Sequence, residues 1–269
     1  MLCISRRGIF SRSFDLPAAS LSRAQRLCAP LLCALFPSPC RLCHLPLRHA
    51  HRLPVCDPCL ALVSTPDGAA CLRCGHALAA AAEPCPICCA FPPAYDGAIC
   101  AAAYRDQARE LIHLLKFAGV RTIAPFWAHR LASLVSTLPA APDLVVPVPL
   151  GKRRRRERGF NQSADIARFL AQRIPCAFVP RALERCRETE PQSNLPLDLR
   201  EQNIDDAFSA SPRQLAGKCV LLVDDVLTTG ATARAAAHAL GQAGAGRVML
   251  AVAARADLRH RNAGKVAAA

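Results

Sequence analysis

Residues 220–232 read VLLVDDVLTTGAT, and this stretch decides the fold of the chain. The four apolar residues at its start predict a short strand that is buried on both faces, as in a parallel sheet covered by helices. Two carboxylates, Asp224 and Asp225, follow directly, and a short loop then leads into an alanine-rich helical pattern. The sequence therefore predicts an α/β fold, a parallel sheet flanked by helices, with a ligand site where this strand ends.

The loop after the acidic pair has the composition of an anion site. The N–H groups at a helix start are unpaired, and the helix dipole points at the same spot. A glycine allows the backbone to approach an anion without a Cβ in the way. Two carboxylates would repel a phosphate unless they face hydroxyls or Mg²⁺, so a sugar phosphate fits both halves of the motif. The predicted loop residues are Thr228, Thr229, Gly230, Ala231 and Thr232.

The motif as a whole resembles the signature of type I phosphoribosyltransferases, which bind 5-phosphoribosyl-1-pyrophosphate (PRPP). Its apolar strand, paired acids, glycine and final threonine occupy the positions of that signature. The alternative is an ordinary strand–turn–helix in which Asp224, Asp225 and Thr228 only cap the helix. The complete strand–loop–helix context favours the ligand site.

Length and charge limit the classes of protein to which the chain can belong. Its 269 residues are enough for one α/β domain and a smaller module. The formal net charge is +14, from 34 Lys and Arg against 20 Asp and Glu, and this favours contact with nucleic acid or phosphorylated ligands. The apolar run at residues 27–36 is too short to span a bilayer, so we expect no membrane insertion.

Cysteine usage indicates metal. Sixteen cysteines would suggest disulfides in a secreted protein, but no secretory signal is visible, and CxxC pairs then indicate metal in a reducing cytoplasm. Four pairs follow one another with gaps of 12, 11 and 10 residues: Cys40/Cys43, Cys56/Cys59, Cys71/Cys74 and Cys85/Cys88.

These eight thiolates predict two structural Zn²⁺ sites, because two CxxC pairs close one tetrahedral site. We expect sequential pairing, with one ion on the first four cysteines and one on the last four; interleaved pairing stays open. Redox CxxC motifs and an Fe–S cluster are the alternatives. A module of this size with few large apolar side chains needs such metal to fold.

Composition divides the chain into four parts. We expect a partly disordered N-terminal extension at residues 1–36, a double zinc ribbon at 37–92, the α/β domain at 93–256 and a tail at 257–269. Apolar patterns in the α/β domain predict strands at residues 99–104, 143–149, 176–183 and 247–254, and helices at residues 108–117, 123–138 and from Asn161 or Ser163 to residue 173.

Two polar segments complete the predicted site. The segment GKRRRRERGFNQS, residues 151–163, follows a predicted strand at the edge where ligands bind in open α/β sheets. Guanidinium groups suit pyrophosphate, and the alternative is a solvated basic loop that binds any polyanion. The long polar stretch at residues 185–207 is typical of a lid or binding loop.

The order of these motifs resembles the ComF family, whose members combine an N-terminal double zinc ribbon with a phosphoribosyltransferase-like domain. The resemblance spans residues 35–255 and includes LFPSPCRLC, ELIHLLKF, VPVPLGKRRRRERGFNQ and VLLVDDVLTTGAT. It also includes an RxRxTxxQ element and the residues after it: Arg185, Arg187, Thr189, Gln192, Arg200, Asn203 and Phe208.

The resemblance implies a role for each segment. Asp224 and Asp225 would hold the ribose hydroxyls of PRPP, and residues 228–232 its 5′-phosphate, with Mg²⁺ bound together with PRPP. The basic loop would face pyrophosphate or DNA through Lys152, Arg153 and Arg158. The residues of a hood over the site would include Arg185, Arg187, Gln192 and Arg200.

Two functions follow from the resemblance. Related members are associated with natural transformation, so we expect a PRPP-binding protein that handles imported single-stranded DNA, with other competence proteins as further partners. The alternative is a Mg²⁺-dependent transferase of nucleotide metabolism, in which an unidentified acceptor displaces pyrophosphate at ribose C1. Strong positive charge with one Trp and two Tyr favours electrostatic DNA contact over sequence-specific contact.

Overall fold

The computed structural model describes residues 38–47, 53–66, 69–71, 73–78, 85–90, 92–187 and 207–256. These residues form two compact units, one ending at Ala61 and the other beginning at Leu62. The predicted extension and tail lie outside the described residues, and the predicted domain limits stay predictions. Four residues of the family pattern also lie outside them: Thr189, Gln192, Arg200 and Asn203.

The first unit is built around cysteines rather than around large apolar side chains. An antiparallel bridge joins Pro39 to Pro46, and helix α1 spans Asp57–Ala61. Few apolar side chains in its described part are buried besides the cysteines, among them Leu53 and Val55. A unit with so little apolar surface to bury needs a further source of stability.

The second unit contains the remaining described elements. Its strands are β1 (Ala69–Ala70), β2 (Ala77–Leu78), β3 (Gly97–Ala103), β4 (Leu144–Pro147), β5 (Ala177–Phe178), β6 (Leu183–Arg185), β7 (Phe208–Ala210), β8 (Cys219–Leu227) and β9 (Arg247–Arg255). Its α-helices are α2 (Pro86–Ala90), α3 (Asp106–Lys116), α4 (Ala124–Ala132), α5 (Lys152–Arg158), α6 (Gln162–Ala171) and α7 (Ala231–Gln242).

Five parallel strands form the central sheet, in the order β3–β9–β8–β4–β5. The long strands β8 and β9 lie inside the sheet and are largely buried, as their apolar sequences predict. The helices cover the sheet with apolar faces; α3, for example, buries Leu111, Ile112 and Leu115 at helical spacing. The parallel sheet with flanking helices confirms the predicted fold class.

Two predicted elements near the site are corrected by the structure. Strand β8 does not end at Val223 but continues to Leu227, because Asp224, Val226 and Leu227 still pair with β9. The basic segment predicted as a loop, which includes Lys152, Arg153 and Arg158, forms helix α5. Its Arg, Lys and Glu residues are good helix formers, and a left-handed Gly159 ends the helix.

Two further elements are shorter than predicted. The helix expected over residues 123–138 ends at Ala132, where the Ser133 hydroxyl donates to the Arg130 carbonyl oxygen and competes with helical continuation. The strand expected over residues 176–183 divides into β5, at the edge of the central sheet, and β6. Strand β6 instead forms a separate antiparallel pair with β7. In the described part of the chain, every helix is too short or too polar to cross a membrane.

Candidate functional site

The acidic pair lies at the carboxyl end of the sheet, where β8 runs beyond its neighbour β4. The pairing of β4 with β8 ends with Pro147 opposite Val223, so Asp224 and Asp225 are the first residues past the end of β4. Strand β4 is followed by β5 toward one edge of the sheet, and β8 by β9 toward the other. Ligands of open α/β sheets bind in the crevice at such a switch point.

Asp225 is held by groups from two helices. The Nζ atom of Lys116, the last residue of α3, lies 2.6 Å from Asp225 Oδ1. At the start of α6, Gln162 Nε2 donates a hydrogen bond to Asp225 Oδ2. Asp225 is only 5% exposed, and a carboxylate this deeply buried needs a cation and hydrogen bonds to stay charged.

Asp224 is in a different environment from its neighbour. Its Oδ1 accepts a hydrogen bond of 3.0 Å from the Ser163 hydroxyl and one of 2.8 Å from the Asp225 amide. Burial, and then the charge of Asp225, raise the pKa of Asp224 from 3.8 to about 7. Asp224 therefore exchanges its proton near neutral pH, and its ionised form is an acceptor for hydroxyl groups.

The start of α6 places these partners because Asn161 caps the helix. The Asn161 side-chain oxygen accepts from the amides of Ser163 and Ala164, at 3.0 and 3.4 Å. Its Nδ2 donates to the Val148 carbonyl oxygen at 3.0 Å, which fixes the helix start to the end of β4. Of the two predicted starts of this helix, Asn161 is therefore the right one, and the Ser163 hydroxyl is free to donate to Asp224.

Gln162 contributes a buried acceptor that lacks a donor. The residue is 3% exposed, and its Oε1 has no hydrogen-bond partner among the described residues. Because Nε2 donates to Asp225, the amide orientation is set and Oε1 is the unsatisfied atom. Buried acceptors without a donor are rare and costly. One beside the acidic pair indicates a place for a donor, such as a hydroxyl group.

The predicted anion loop joins β8 to α7. Gly230 has φ of 81°, a left-handed conformation that suits glycine, and α7 begins at Ala231. The predicted loop is thus shorter than expected, since Ala231 and Thr232 belong to the first turn of the helix. The Ala231 amide donates to the Thr229 hydroxyl at 3.4 Å, and Thr228 and Thr229 are exposed. The recorded partners of the two acids lie on α3, α6 and β8 rather than at the start of α7.

Helix α5 presents the basic residues on the surface. Lys152 and Arg153 are exposed, and Arg153 Nε lies 2.8 Å from Glu157 Oε1 one turn later. Arg158, at the end of the helix, is half-buried, and its guanidinium lies 5.2 Å from the ring centroid of Phe117. Burial lowers the pKa of Arg158, while the negative charge of Asp225 acts in the opposite direction. Of the three predicted contact residues, Arg158 therefore reaches furthest toward the acidic pair.

The predicted hood is described only at its two ends. Arg185, the last residue of β6, donates from Nε to the Arg187 carbonyl oxygen at 3.2 Å, and its guanidinium lies 5.4 Å from the Phe208 ring centroid. Gln192 and Arg200 lie outside the described residues. The antiparallel pair of β6 and β7 brings the two ends of the predicted hood together.

The eight CxxC cysteines form two tetrads, each with sulfur atoms within 4.8 Å of one another. Their members are Cys40, Cys43, Cys56 and Cys59 in the first unit, and Cys71, Cys74, Cys85 and Cys88 in the second. The grouping is sequential, as predicted. Four thiolates at about 2.3 Å from one Zn²⁺ ion stand about 3.8 Å apart in a regular tetrahedron. The recorded sulfur–sulfur contacts, 3.5 to 4.0 Å, fit that geometry, so each tetrad can hold a zinc ion.

Backbone and charge contacts support metal at both tetrads. Amide groups of Leu42 and Cys56 donate to the Cys40 sulfur at 3.4 Å, as expected around a thiolate ligand. Burial, and then contact with the neighbouring Cys74 thiol, raise the pKa of Cys88, so four thiolates cannot coexist there without a cation. In the second unit, Arg255 at the end of β9 donates from Nη1 to the Cys74 carbonyl oxygen, which connects the second tetrad to the sheet.

Sequence reasoning missed three residues that contact the acidic pair: Lys116, Gln162 and Ser163. From the sequence alone, Lys116 has a local explanation as a cation at the end of its helix, and Ser163 has one as a possible helix start. The sequence did contain a signal for Gln162 and Ser163. They belong to the polar NQS run at residues 161–163, which follows the strand predicted at residues 143–149 in the same sheet. No comparable signal exists for Lys116, which is distant in sequence from both acids.

Comparison with known proteins agrees with this description. The Phosphoribosyl transferase domain family matches residues 158–266, which include β8 and its acidic pair. A parallel sheet, paired acids at its carboxyl end and this match define a protein with a phosphoribosyltransferase-like domain.

Relatives over most of the chain identify the family. DNA utilization protein YhgH of Salmonella typhimurium is 34% identical over 219 residues, which cover 80% of this chain and 95% of that protein. Competence protein F of Haemophilus influenzae is 29% identical over 60% of this chain and 74% of its own length. Competence protein ComFC of Bacillus subtilis is 30% identical over 52% and 56%. The chain belongs to the ComF family.

Proposed function

We propose that the protein binds PRPP with Mg²⁺ at the acidic pair and acts on single-stranded DNA taken up during natural competence. The observation that carries the first part is the cluster of Asp224, Asp225, Gln162 and Ser163 at the switch point of the sheet. The second part is supported by helix α5 and by relatives named competence proteins and DNA utilization proteins.

The charge balance of the cluster favours ribose hydroxyls over a directly bound metal ion. Lys116 already places a positive charge 2.6 Å from Asp225, which weakens the attraction of the pair for a cation. Ribose hydroxyls, in contrast, need only hydrogen-bond acceptors within reach. Asp224, in its ionised form, and the unpaired Gln162 Oε1 are two such acceptors. Two adjacent hydroxyls on a ribose ring match two acceptors in one crevice.

The loop at residues 228–232 supplies the matching phosphate site. Helix α7 spans Ala231–Gln242, and its first amides and its dipole favour an anion at its start. The left-handed Gly230 has no Cβ of its own to shield the backbone N–H groups of the loop, and Arg234 Nη1 donates to the Thr229 carbonyl oxygen at 3.3 Å. A single ligand that contains ribose 5-phosphate would therefore place its phosphate at this loop and its ribose at the two acids.

Magnesium enters this site with the ligand. Because Asp224 and Gln162 Oε1 are assigned to the ribose hydroxyls, Mg²⁺ would be held mainly by oxygen atoms of the pyrophosphate and by water. When bound, Mg²⁺ neutralises part of the pyrophosphate charge. Arg158 is the candidate cation of the protein for the same pyrophosphate group. It is half-buried, and it interacts electrostatically with Asp225.

Thermal unfolding with a panel of ligands tests the PRPP proposal. PRPP with Mg²⁺ should raise the midpoint more than ribose 5-phosphate or pyrophosphate at the same concentration, because it occupies both halves of the site. PRPP without Mg²⁺ should act more weakly. Equal shifts for pyrophosphate and PRPP would reduce the site to a general anion site. Release of pyrophosphate with one of a panel of bases would instead establish the transferase reaction.

The DNA proposal depends on helix α5. Each phosphate contact releases counterions, so the affinity for single-stranded DNA should fall steeply with salt concentration. Neutralising Arg154, Arg155 and Arg156, which are all exposed, should flatten that dependence.

A matched triple variant with Arg213, Lys218 and Arg247 neutralised provides the control. These residues are also exposed; Lys218 and Arg247 lie at the amino ends of β8 and β9, and Arg213 lies in the 3-10 turn Pro212–Gln214 before β8. The control variant changes the net charge by the same amount as the α5 variant, and it should leave the salt dependence of DNA binding unchanged. If both variants behave alike, helix α5 is not the DNA contact.

A further inference from the structure

An exposed aromatic ring contacts the last residue of the basic helix and follows the lysine that pairs with Asp225. Phe117 follows the last residue of α3 and is 70% exposed. The Arg158 guanidinium lies over its ring at 5.2 Å from the centroid, and the His113 ring meets it edge-on at 5.4 Å. The ring is therefore held by two neighbours and still leaves most of the side chain to solvent.

The position of Phe117 is fixed from both sides. Its amide donates to the His113 carbonyl oxygen at 2.8 Å, which continues the turn of α3. The preceding residue, Lys116, is tied to Asp225 at 2.6 Å. Arg158 is the last residue of α5, whose other residues are exposed and mostly basic. The ring thus contacts the basic helix at Arg158 and directly follows the lysine that pairs with Asp225.

This combination has the parts that a single-stranded nucleic acid requires. A single exposed apolar side chain is ordinary by itself, so the neighbours decide the interpretation. Base–aromatic stacking adds to backbone contacts in proteins that bind single strands, and it tolerates every base because every base has a π face. A guanidinium on one side of the ring strengthens the platform through a cation–π contact. Phe117 carries no polar group, so it can stack a base without reading its identity.

We infer that Phe117, supported by Arg158, stacks one unpaired nucleobase of a single DNA strand whose phosphates follow helix α5. The inference rests on the proposed DNA function and adds a named contact to the bases. Stacking would place that base next to Lys116 and Arg158, so the strand would pass close to the residue that holds Asp225.

Oligothymidine and an abasic oligonucleotide of equal length test the inference, because they carry the same phosphates and differ only in bases. The wild type should bind oligothymidine more tightly. Phe117→Ala should weaken oligothymidine binding roughly tenfold and leave abasic binding unchanged, whereas Phe117→Trp should retain the preference. A 2-aminopurine base in the strand should be quenched by the wild type and not by Phe117→Ala.

Leu62→Ala is the control, because Leu62 is 62% exposed and equally apolar; it should change neither affinity. Thermal unfolding of each variant shows whether it is folded. The inference is wrong if the wild type binds oligothymidine and the abasic oligonucleotide equally well, or if Phe117→Ala still binds oligothymidine more tightly. In either case the DNA proposal is unaffected. If the wild type binds neither oligonucleotide, the DNA proposal fails and the inference with it.

Discussion

Lys116 Nζ lies 2.6 Å from Asp225 Oδ1, and this ion pair joins the end of a surface helix to the central strand of the sheet. The Lys116 side chain is 16% exposed and that of Asp225 is 7% exposed, so solvent screens the pair only weakly. Gln162 completes the set of Asp225 partners from a second helix. The two carboxylates can therefore stand side by side in a crevice because one of them is neutralised within the protein.

Replacing Lys116 with methionine should destabilise the fold. The substitution keeps the aliphatic stem and leaves Asp225 without its cation, and removal of one partner of a buried pair costs about 3 kcal/mol. The double variant Lys116→Met/Asp225→Asn removes both charges and should recover most of that loss. Chemical denaturation of the wild type, Lys116→Met, Asp225→Asn and the double variant gives the coupling free energy. A coupling near zero would show that the pair contributes nothing.

Asp224 should make stability depend on pH in a defined direction. Its pKa is 3.8 when unperturbed and about 7 in the folded protein, so between these values the folded state binds more protons than the unfolded chain. The free energy of unfolding should therefore fall as pH rises from about 4 to 7. Asp224→Asn removes this titration. The difference in stability between wild type and Asp224→Asn should shift against the wild type between pH 5 and pH 7.5; a shift in its favour would contradict the assigned environment.

Metal analysis should find two zinc ions per chain. Cys56→Ser should reduce the content by one ion and unfold the first unit, because metal binding and folding are coupled in so small a structure. Cys186→Ser is the matched control, since Cys186 is exposed and belongs to neither tetrad. Protein that stays folded without metal, or that contains iron, would contradict the zinc assignment.

The sheet and the position of the acidic pair at its carboxyl end could be predicted from the sequence for local reasons. Four apolar residues indicate a buried strand, and Asp224 and Asp225 directly after them indicate polar groups at its carboxyl end. CxxC spacing likewise indicates the tetrads, because each pair is a local unit. The sequential grouping of the cysteines is also favoured locally, because it closes shorter loops of chain than interleaved pairing would.

The partners of the acids could not be predicted, because they come from other elements. Lys116 meets Asp225 only after β3, α3 and β8 have assembled, and a terminal lysine on a helix has an adequate local explanation. Helix α5 was misjudged because its charges suggested a solvated loop, whereas the helix propensity of Arg, Lys and Glu decides its backbone. The exposed Phe117 had no signal in the sequence, since its helical spacing resembles that of core residues.

Calorimetric titration with PRPP and Mg²⁺ tests the central proposal most directly. The wild type should bind, and Asp224→Ala/Asp225→Ala should lose on the order of 2–4 kcal/mol of binding free energy, because hydrogen bonds to charged groups contribute about 1.5–3 kcal/mol each and are not fully additive. Thermal unfolding confirms that the variant is folded before it is titrated. Equal affinities in the two proteins, or no binding by the wild type with Mg²⁺ present, would contradict the proposed PRPP site.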